Sequence, residues 1–215
     1  MTGPHPVPAL AASRTELYNA GMGMPPVPML VYALAMIASR FAFRHRERVA
    51  ASGGSSARSI SWRGALLCLL PIGLMQLGPF IEYVLRAQGW LQPQLSDPMA
   101  FPSTATSGLL VFAVGTALAA VGIWQMAGAW HRDPNALCTS GLYSAIRHPM
   151  YAGYLVQGAG CALMLGALWS WALYGLALLM IFVRIVIEDR ELAGSFPAAF
   201  PAYRDRVKRL VPFVF

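Results

Sequence analysis

Polar positions are scarce over four stretches of this chain: Val27–Phe43, Gly64–Leu85, Ser107–Met126 and Tyr151–Ile187. A hydrocarbon layer roughly 30 Å thick takes about 17–25 apolar residues per helix, so each of the first three stretches predicts one membrane span. The fourth is too long for one. It predicts two short helices folded back near Gly166–Ser170, where Trp169, Trp171 and Tyr174 supply an aromatic belt at headgroup depth. Beyond it, Phe196, Phe200, Tyr203, Val207 and Leu210 recur at steps of three and four, with Arg204, Arg206, Lys208 and Arg209 on the polar sides. That pattern predicts an interfacial amphipathic helix, with Pro201 in its first turn and Pro212 as its stop. The expected fold is all-α and integral to a membrane: five transmembrane helices with a C-terminal interfacial amphipathic helix, in one domain over residues 1–215.

The connections read differently from one another. Ala50–Ser61 is rich in Ser, Gly and Ala and predicts a flexible linker. The loop after Gln88 carries Trp90 and a turn-forming Asp97-Pro98 pair. Basic residues set the orientation, because cytoplasmic loops are enriched in them. Arg40, Arg44, Arg46, Arg48, Arg58 and Arg63 sit between the first two helices, and Arg190, Arg204, Arg206, Lys208 and Arg209 follow the last. Both regions are expected on the cytoplasmic side, with the N-terminus and the Gln88–Thr106 loop outside and the Arg132–Met150 loop inside.

Composition agrees: 57% of residues are hydrophobic and only 12% charged, unlike a soluble globule of this length. The net charge of +7 follows from this topology and from contact with anionic headgroups of membrane lipids, so no nucleic-acid partner is expected. The Pro-rich start (Pro4, Pro6, Pro8, Pro25, Pro26, Pro28) lacks the basic region and short apolar core of a cleavable leader, so the first helix is expected to stay. Cys68 and Cys161 fall in apolar spans and Cys138 in a loop, which predicts reduced thiols. His5, His45, His131 and His148 have no metal-ligand spacing, so no metal is expected.

Two polar clusters stand against this apolar background: Arg147-His148-Pro149-x-Tyr151 before the fourth helix, and Arg184 with Glu188-Asp189 at the end of the fifth. A hairpin makes their ends neighbours. Pro149 suits a first helical position and pushes His148 toward an extended conformation. Arg147 and His148 beside that helix N-terminus read either as an anion site or as an interfacial arginine held by lipid phosphate. Arg184 and Glu188 share a helical face, which a local ion pair explains, while Asp189 points elsewhere. The adjacent acids read first as a solvated helix end, and otherwise as a negative spot suited to an ammonium or other cationic group. The earlier helices carry little polarity beyond Gln76 and Glu82, consistent with a ligand whose apolar part enters from the lipid.

The run SGLYSAIRHPMYAG, an apolar hairpin, RIVIEDREL and then FPAAFPAYRDRVKRLVP resembles the isoprenylcysteine carboxyl methyltransferase and phospholipid methyltransferase superfamily. The resemblance covers Trp130 to Pro212 and keeps its motifs in order. It implies a membrane enzyme using S-adenosylmethionine, with a cofactor-binding core over 130–212. It implies catalytic roles for Arg147, Glu188 and Arg209, and cofactor contacts from Arg147, His148, Pro149, Tyr151, Glu188, Asp189 and Tyr203. Asp189 stands where the family pattern has a second Glu, and Pro197 and Phe200 replace the Gly and first Tyr of the tail motif. The acceptor it implies is lipophilic, first an S-isoprenylcysteine-like carboxylate, then a phospholipid amine or a small thiol. The C-terminal region also resembles the membrane sterol reductases, which use NADPH, and fold-level likeness alone does not separate the chemistries.

Overall fold

The computed structural model describes residues 62–88, 90–91, 102–133 and 136–211. All belong to one compact unit, Ser39–Phe215; a second, Met1–Ala38, lies outside the described residues, as do the expected helix Val27–Phe43, the Ala50–Ser61 linker and Pro212. Among the described residues there are five α-helices and no strand: α1 Trp62–Ala87, α2 Pro102–Arg132, α3 Pro149–Met164, α4 Ser170–Ser195 and α5 Phe200–Arg206. A 3-10 turn, Gly141–Ser144, precedes α3.

Two segments, Thr106–Arg132 and Ser170–Ser195, are long and apolar enough to cross a membrane. Leu110, Val114, Val121 and Trp124 of α2 and Leu176, Leu179, Phe182 and Val183 of α4 leave large apolar side chains exposed, a surface that lipid solvates and water does not. Their length and exposed apolar surface suit a membrane protein. The long fourth apolar block does divide into two helices, α3 and α4, with the reversal at Gly166, where φ is +58°. At 16 residues α3 is about 24 Å long, less than a hydrocarbon core.

The tightest packing joins α2 to α3. Gly108, Gly115 and Gly122 repeat every seven residues on α2, and Gly153 and Gly160 do so on α3. A Cβ added at Gly115 would lie 2.2 Å from the Gln157 nitrogen, and one at Gly160 2.3 Å from the Phe112 nitrogen. The two backbones are therefore in contact along the seam, as small residues permit in membranes. A polar chain crosses the same interior: Gln76 Nε2 donates to Gln157 Oε1, and Gln157 Nε2 to Thr116 Oγ1 at 2.9 Å.

Glu82 ties α1 to the hairpin. Its carboxylate accepts Trp169 N at 3.0 Å, and Ser170 N and Oγ each at 2.7 Å, satisfying free N–H groups at the start of α4. Arg86 Nη2 reaches the same carboxylate at 2.6 Å, and its Nη1 donates to the Gly166 carbonyl at 2.8 Å. Gln76 and Glu82, the little polarity these otherwise apolar helices carry, thus fasten helices to one another.

The tail departs from expectation. Its helix covers only Phe200–Arg206, so Val207 and Leu210 lie beyond it, and Phe200, Tyr203 and Val207 are buried against Leu137, Leu192, Ala193 and Phe196. The apolar face that predicted insertion at an interface is covered by protein instead. An isolated parallel bridge between Ile146 and Lys208 then lays the chain beside the residues preceding α3.

Candidate functional site

Three local features position the site. Gly141, with φ +64°, turns the chain so closely past α2 that a Cβ there would collide with the Gln125 side chain, and Gln125 Oε1 accepts Leu142 N at 2.8 Å. The extended stretch before α3 pairs with the tail: Arg147 N donates to Lys208 O at 2.7 Å, and His148 N to Arg209 O at 3.0 Å. His148 is the N-cap with φ −125° and ψ 60°, and Pro149 opens α3, as the His-Pro sequence requires.

These contacts bring the first cluster onto Asp189. Arg147 Nη1 lies 2.8 Å and Arg209 Nε 2.9 Å from Asp189 Oδ2, while His148 Nε2 is 3.0 Å from Oδ1. Arg147, His148 and Asp189 are all buried. Burial pulls the Arg147 guanidinium below its ordinary value, against the favourable pull of Asp189. The guanidinium also faces the Phe200 ring at 6.0 Å, and its Nε is buried without a hydrogen-bond partner among the described residues. Asp189 continues the buried stripe Ala177, Ile181, Ile185 of α4, four residues apart, which turns it inward while its neighbour Glu188 turns away.

Glu188 forms the second cluster. Its Oε2 accepts the Tyr151 hydroxyl at 2.8 Å and lies 3.5 Å from Arg184 Nη2, and Arg184 Nη1 is 3.3 Å from Glu191 Oε2. The Glu188 side chain is 22% exposed, whereas that of Asp189 is 9% exposed, so Glu188 is the more open of the two acids. Tyr151 links the clusters, its ring 5.9 Å from that of His148.

Of the site residues expected from sequence, Arg147, His148, Arg209 and Asp189 meet in one cluster and Tyr151 and Glu188 in its neighbour, with Pro149 starting the helix between them. Glu188 or Asp189 was expected to suit a ligand's ammonium; Asp189 is the shared acceptor of three protein donors, because the inward stripe of α4 carries it to them. Tyr203 donates to the Tyr143 carbonyl at 2.8 Å, pinning α5 to the 3-10 turn, and burial raises its phenol above the usual tyrosine value. Sequence reasoning passed over Glu191, although its place seven residues after Arg184 was a signal.

Residues 103–199 match the family model described as phospholipid methyltransferase. The chain is 33% identical over 81 residues to the protein-S-isoprenylcysteine O-methyltransferase of Schizosaccharomyces pombe, covering 37% of this chain and 34% of that protein. It is 35% identical over 113 residues to the cobalt-zinc-cadmium resistance protein CzcN of Cupriavidus metallidurans, covering 52% of this chain and 50% of that one. It is also 31% identical over 80 residues to methanethiol S-methyltransferase 1 of Bradyrhizobium diazoefficiens, covering 37% of this chain and 27% of the relative. The matched regions thus span a half or less of each of these relatives.

Proposed function

We propose, from the premise that residues 103–199 belong to the isoprenylcysteine and phospholipid methyltransferase superfamily, that this protein is an S-adenosylmethionine-dependent methyltransferase of the membrane. Its acceptor is lipophilic, first an S-isoprenylcysteine-like carboxylate. The observation that carries this reading is the opposite charge of the two neighbouring clusters. Around Asp189, two guanidiniums face one carboxylate; around Glu188, one guanidinium faces two. A methionine head, with an ammonium and a carboxylate on one carbon, fits such a pair of environments.

The donor set supports the fit. Arg147 Nε is a buried donor in want of an acceptor, which a carboxylate oxygen supplies. Glu188 has one oxygen held by Tyr151 and the other without a partner among the described residues, open to an ammonium. In this reading Arg147 binds the methionine carboxylate with Arg209 beside it, His148 and Pro149 hold the backbone that aims Arg147, and Tyr151 aims Glu188. Asp189 and Tyr203 fix the tail over them. When bound, S-adenosylmethionine supplies a methyl group on a positively charged sulfur, open to in-line attack.

The residues' contribution is alignment and exclusion of water, since a carboxylate acceptor carries no proton to remove. Acceptor carboxylate and sulfonium neutralise one another during transfer, so a dry pocket favours the step. Arg190, Arg204, Arg206 and Lys208, all exposed near the end of α4, support a cytoplasmic opening of the site in a multi-pass chain. The likeness to a methanethiol methyltransferase favours a second reading, transfer to a thiol, for which Glu188 beside the Tyr151 hydroxyl would receive the thiol proton. The match to the phospholipid methyltransferase family model likewise supports a phospholipid amine as an alternative acceptor, whereas no comparison points to an NADPH reductase.

Titration of the purified protein with S-adenosylmethionine, S-adenosylhomocysteine and NADPH tests the class; binding of NADPH alone would overturn it. Labelled S-adenosylmethionine offered with N-acetyl-S-farnesylcysteine or methanethiol tests the acceptor. Base-labile label identifies a methyl ester, and label confined to the thioether rules the carboxylate out. Arg147→Ala and Glu188→Ala should each cost about 1.5–3 kcal/mol of cofactor binding, roughly tenfold or more in affinity.

A further inference from the structure

Arg184 lies within a helix long enough to cross a membrane, and its side chain is 11% exposed. A guanidinium at such a position is costly and calls for a reason. Pairing alone is a poor one, because a local pair four residues apart on a helix contributes little. Its contacts supply a better one. Nη2 lies 3.5 Å from Glu188 Oε2, on the same oxygen that accepts the Tyr151 hydroxyl at 2.8 Å from α3. Nη1 lies 3.4 Å and 3.3 Å from the two oxygens of Glu191, one further turn along.

A hydrogen bond from α3 and an ion pair within α4 on one carboxylate oxygen fix the rotation of the Glu188 side chain and leave Oε1 as its open face. Glu191, at 51% exposure, holds the guanidinium from the other side and keeps it from following a ligand. We propose that Arg184 is a positioning residue: anchored by Glu191, it orients Glu188 so that Oε1 receives the ammonium of the cofactor's methionine head, without touching the ligand itself. This inference rests on the reading of the site given above and adds to it a residue that acts through Glu188.

A double-mutant cycle read by binding tests it. S-adenosylhomocysteine, which carries the same methionine head, is titrated calorimetrically into wild type, Arg184→Gln, Glu188→Gln and the double variant, with thermal unfolding measured on each. Arg184→Gln should weaken binding about tenfold in the wild-type background and less than about twofold when residue 188 is already Gln, because coupled residues are non-additive. Arg184→Lys should recover most of the affinity, since an ammonium on a long stem still reaches Glu188. It also carries the cycle, with smaller steps, if the glutamine variant does not fold. An arginine that only stabilised the helix would lower unfolding midpoint and affinity alike in both backgrounds. Equal losses in the two backgrounds, or no loss in either, overturn the positioning role while leaving the cofactor reading intact. Failure of the wild-type protein to bind overturns both.

Discussion

Replacing Asp189 with Asn keeps the shape of the side chain and removes the charge that three donors share. Arg147 and Asp189 are 6% and 9% exposed at their side chains, so neither is screened by water, whereas Arg209 at 31% can turn outward to solvent. The cost is therefore dominated by one uncompensated buried guanidinium. Breaking a buried pair in this way typically costs about 3–5 kcal/mol, and the Arg209 contact adds little on top. The amide NH2 can also be satisfied only when turned toward His148, whose ring nitrogen can accept in its other tautomer, since on the Oδ2 side it would oppose both guanidiniums. For a chain of 215 residues, such a loss corresponds to roughly 6–20 °C in unfolding midpoint. The assay is thermal unfolding in detergent, paired with tryptic cleavage at Arg204, Arg206 and Lys208, which should quicken as the tail loosens. Asp189→Glu keeps the charge on a stem one methylene longer and should lose much less. An Asp189→Asn protein that melts within a degree or two of wild type and resists trypsin equally would refute the view that this carboxylate holds α3, α4 and the tail together.

Other consequences follow from contacts elsewhere. Gly115→Ala places a methyl group 2.2 Å from a backbone nitrogen and should cost about 3 kcal/mol or more, whereas Gly128→Ala, with only the Arg132 Nη1 at 3.9 Å, should be neutral or slightly stabilising; equal unfolding midpoints for the two would refute backbone contact along the seam. Glu82→Gln should cost roughly 3 kcal/mol by removing the buried charge paired with Arg86 and weakening the cap of α4, seen as faster proteolysis at the α3–α4 turn. Burial keeps the Tyr203 phenol protonated where an unfolded tyrosine, near pH 10, has ionised, so the unfolded state binds fewer protons there. Stability that is present below pH 10 should accordingly fall as pH rises above it, and Tyr203→Phe should flatten that slope in unfolding measured across alkaline pH.

What the sequence determined by itself was whatever depends on block length and on near neighbours. The apolar run from Tyr151 exceeds one bilayer crossing, and it folds into two helices at the expected place. Pro149 cannot sit late in a helix, and it opens one; Arg184 and Glu188, four apart, do share a face. The motif residues, too, were legible as types, because Arg, His and Glu at a membrane boundary are unusual. Partnership was not legible. Asp189 meets Arg147 across 42 positions and Glu82 meets Ser170 across 88, and no local propensity registers a contact at that separation. The seven-residue glycine repeat is visible on α2, but whether it faces lipid or another helix is decided only when α3 brings its own glycines to the same line. The tail gives the plainest case. Phe200, Tyr203 and Val207 repeat as an apolar face should, yet lipid and a protein interior are equally apolar, so the pattern alone cannot distinguish them. The fold distinguishes them by bonding Lys208 and Arg209 beside the start of α3, which turns that face onto the protein and sets Arg209 against Asp189.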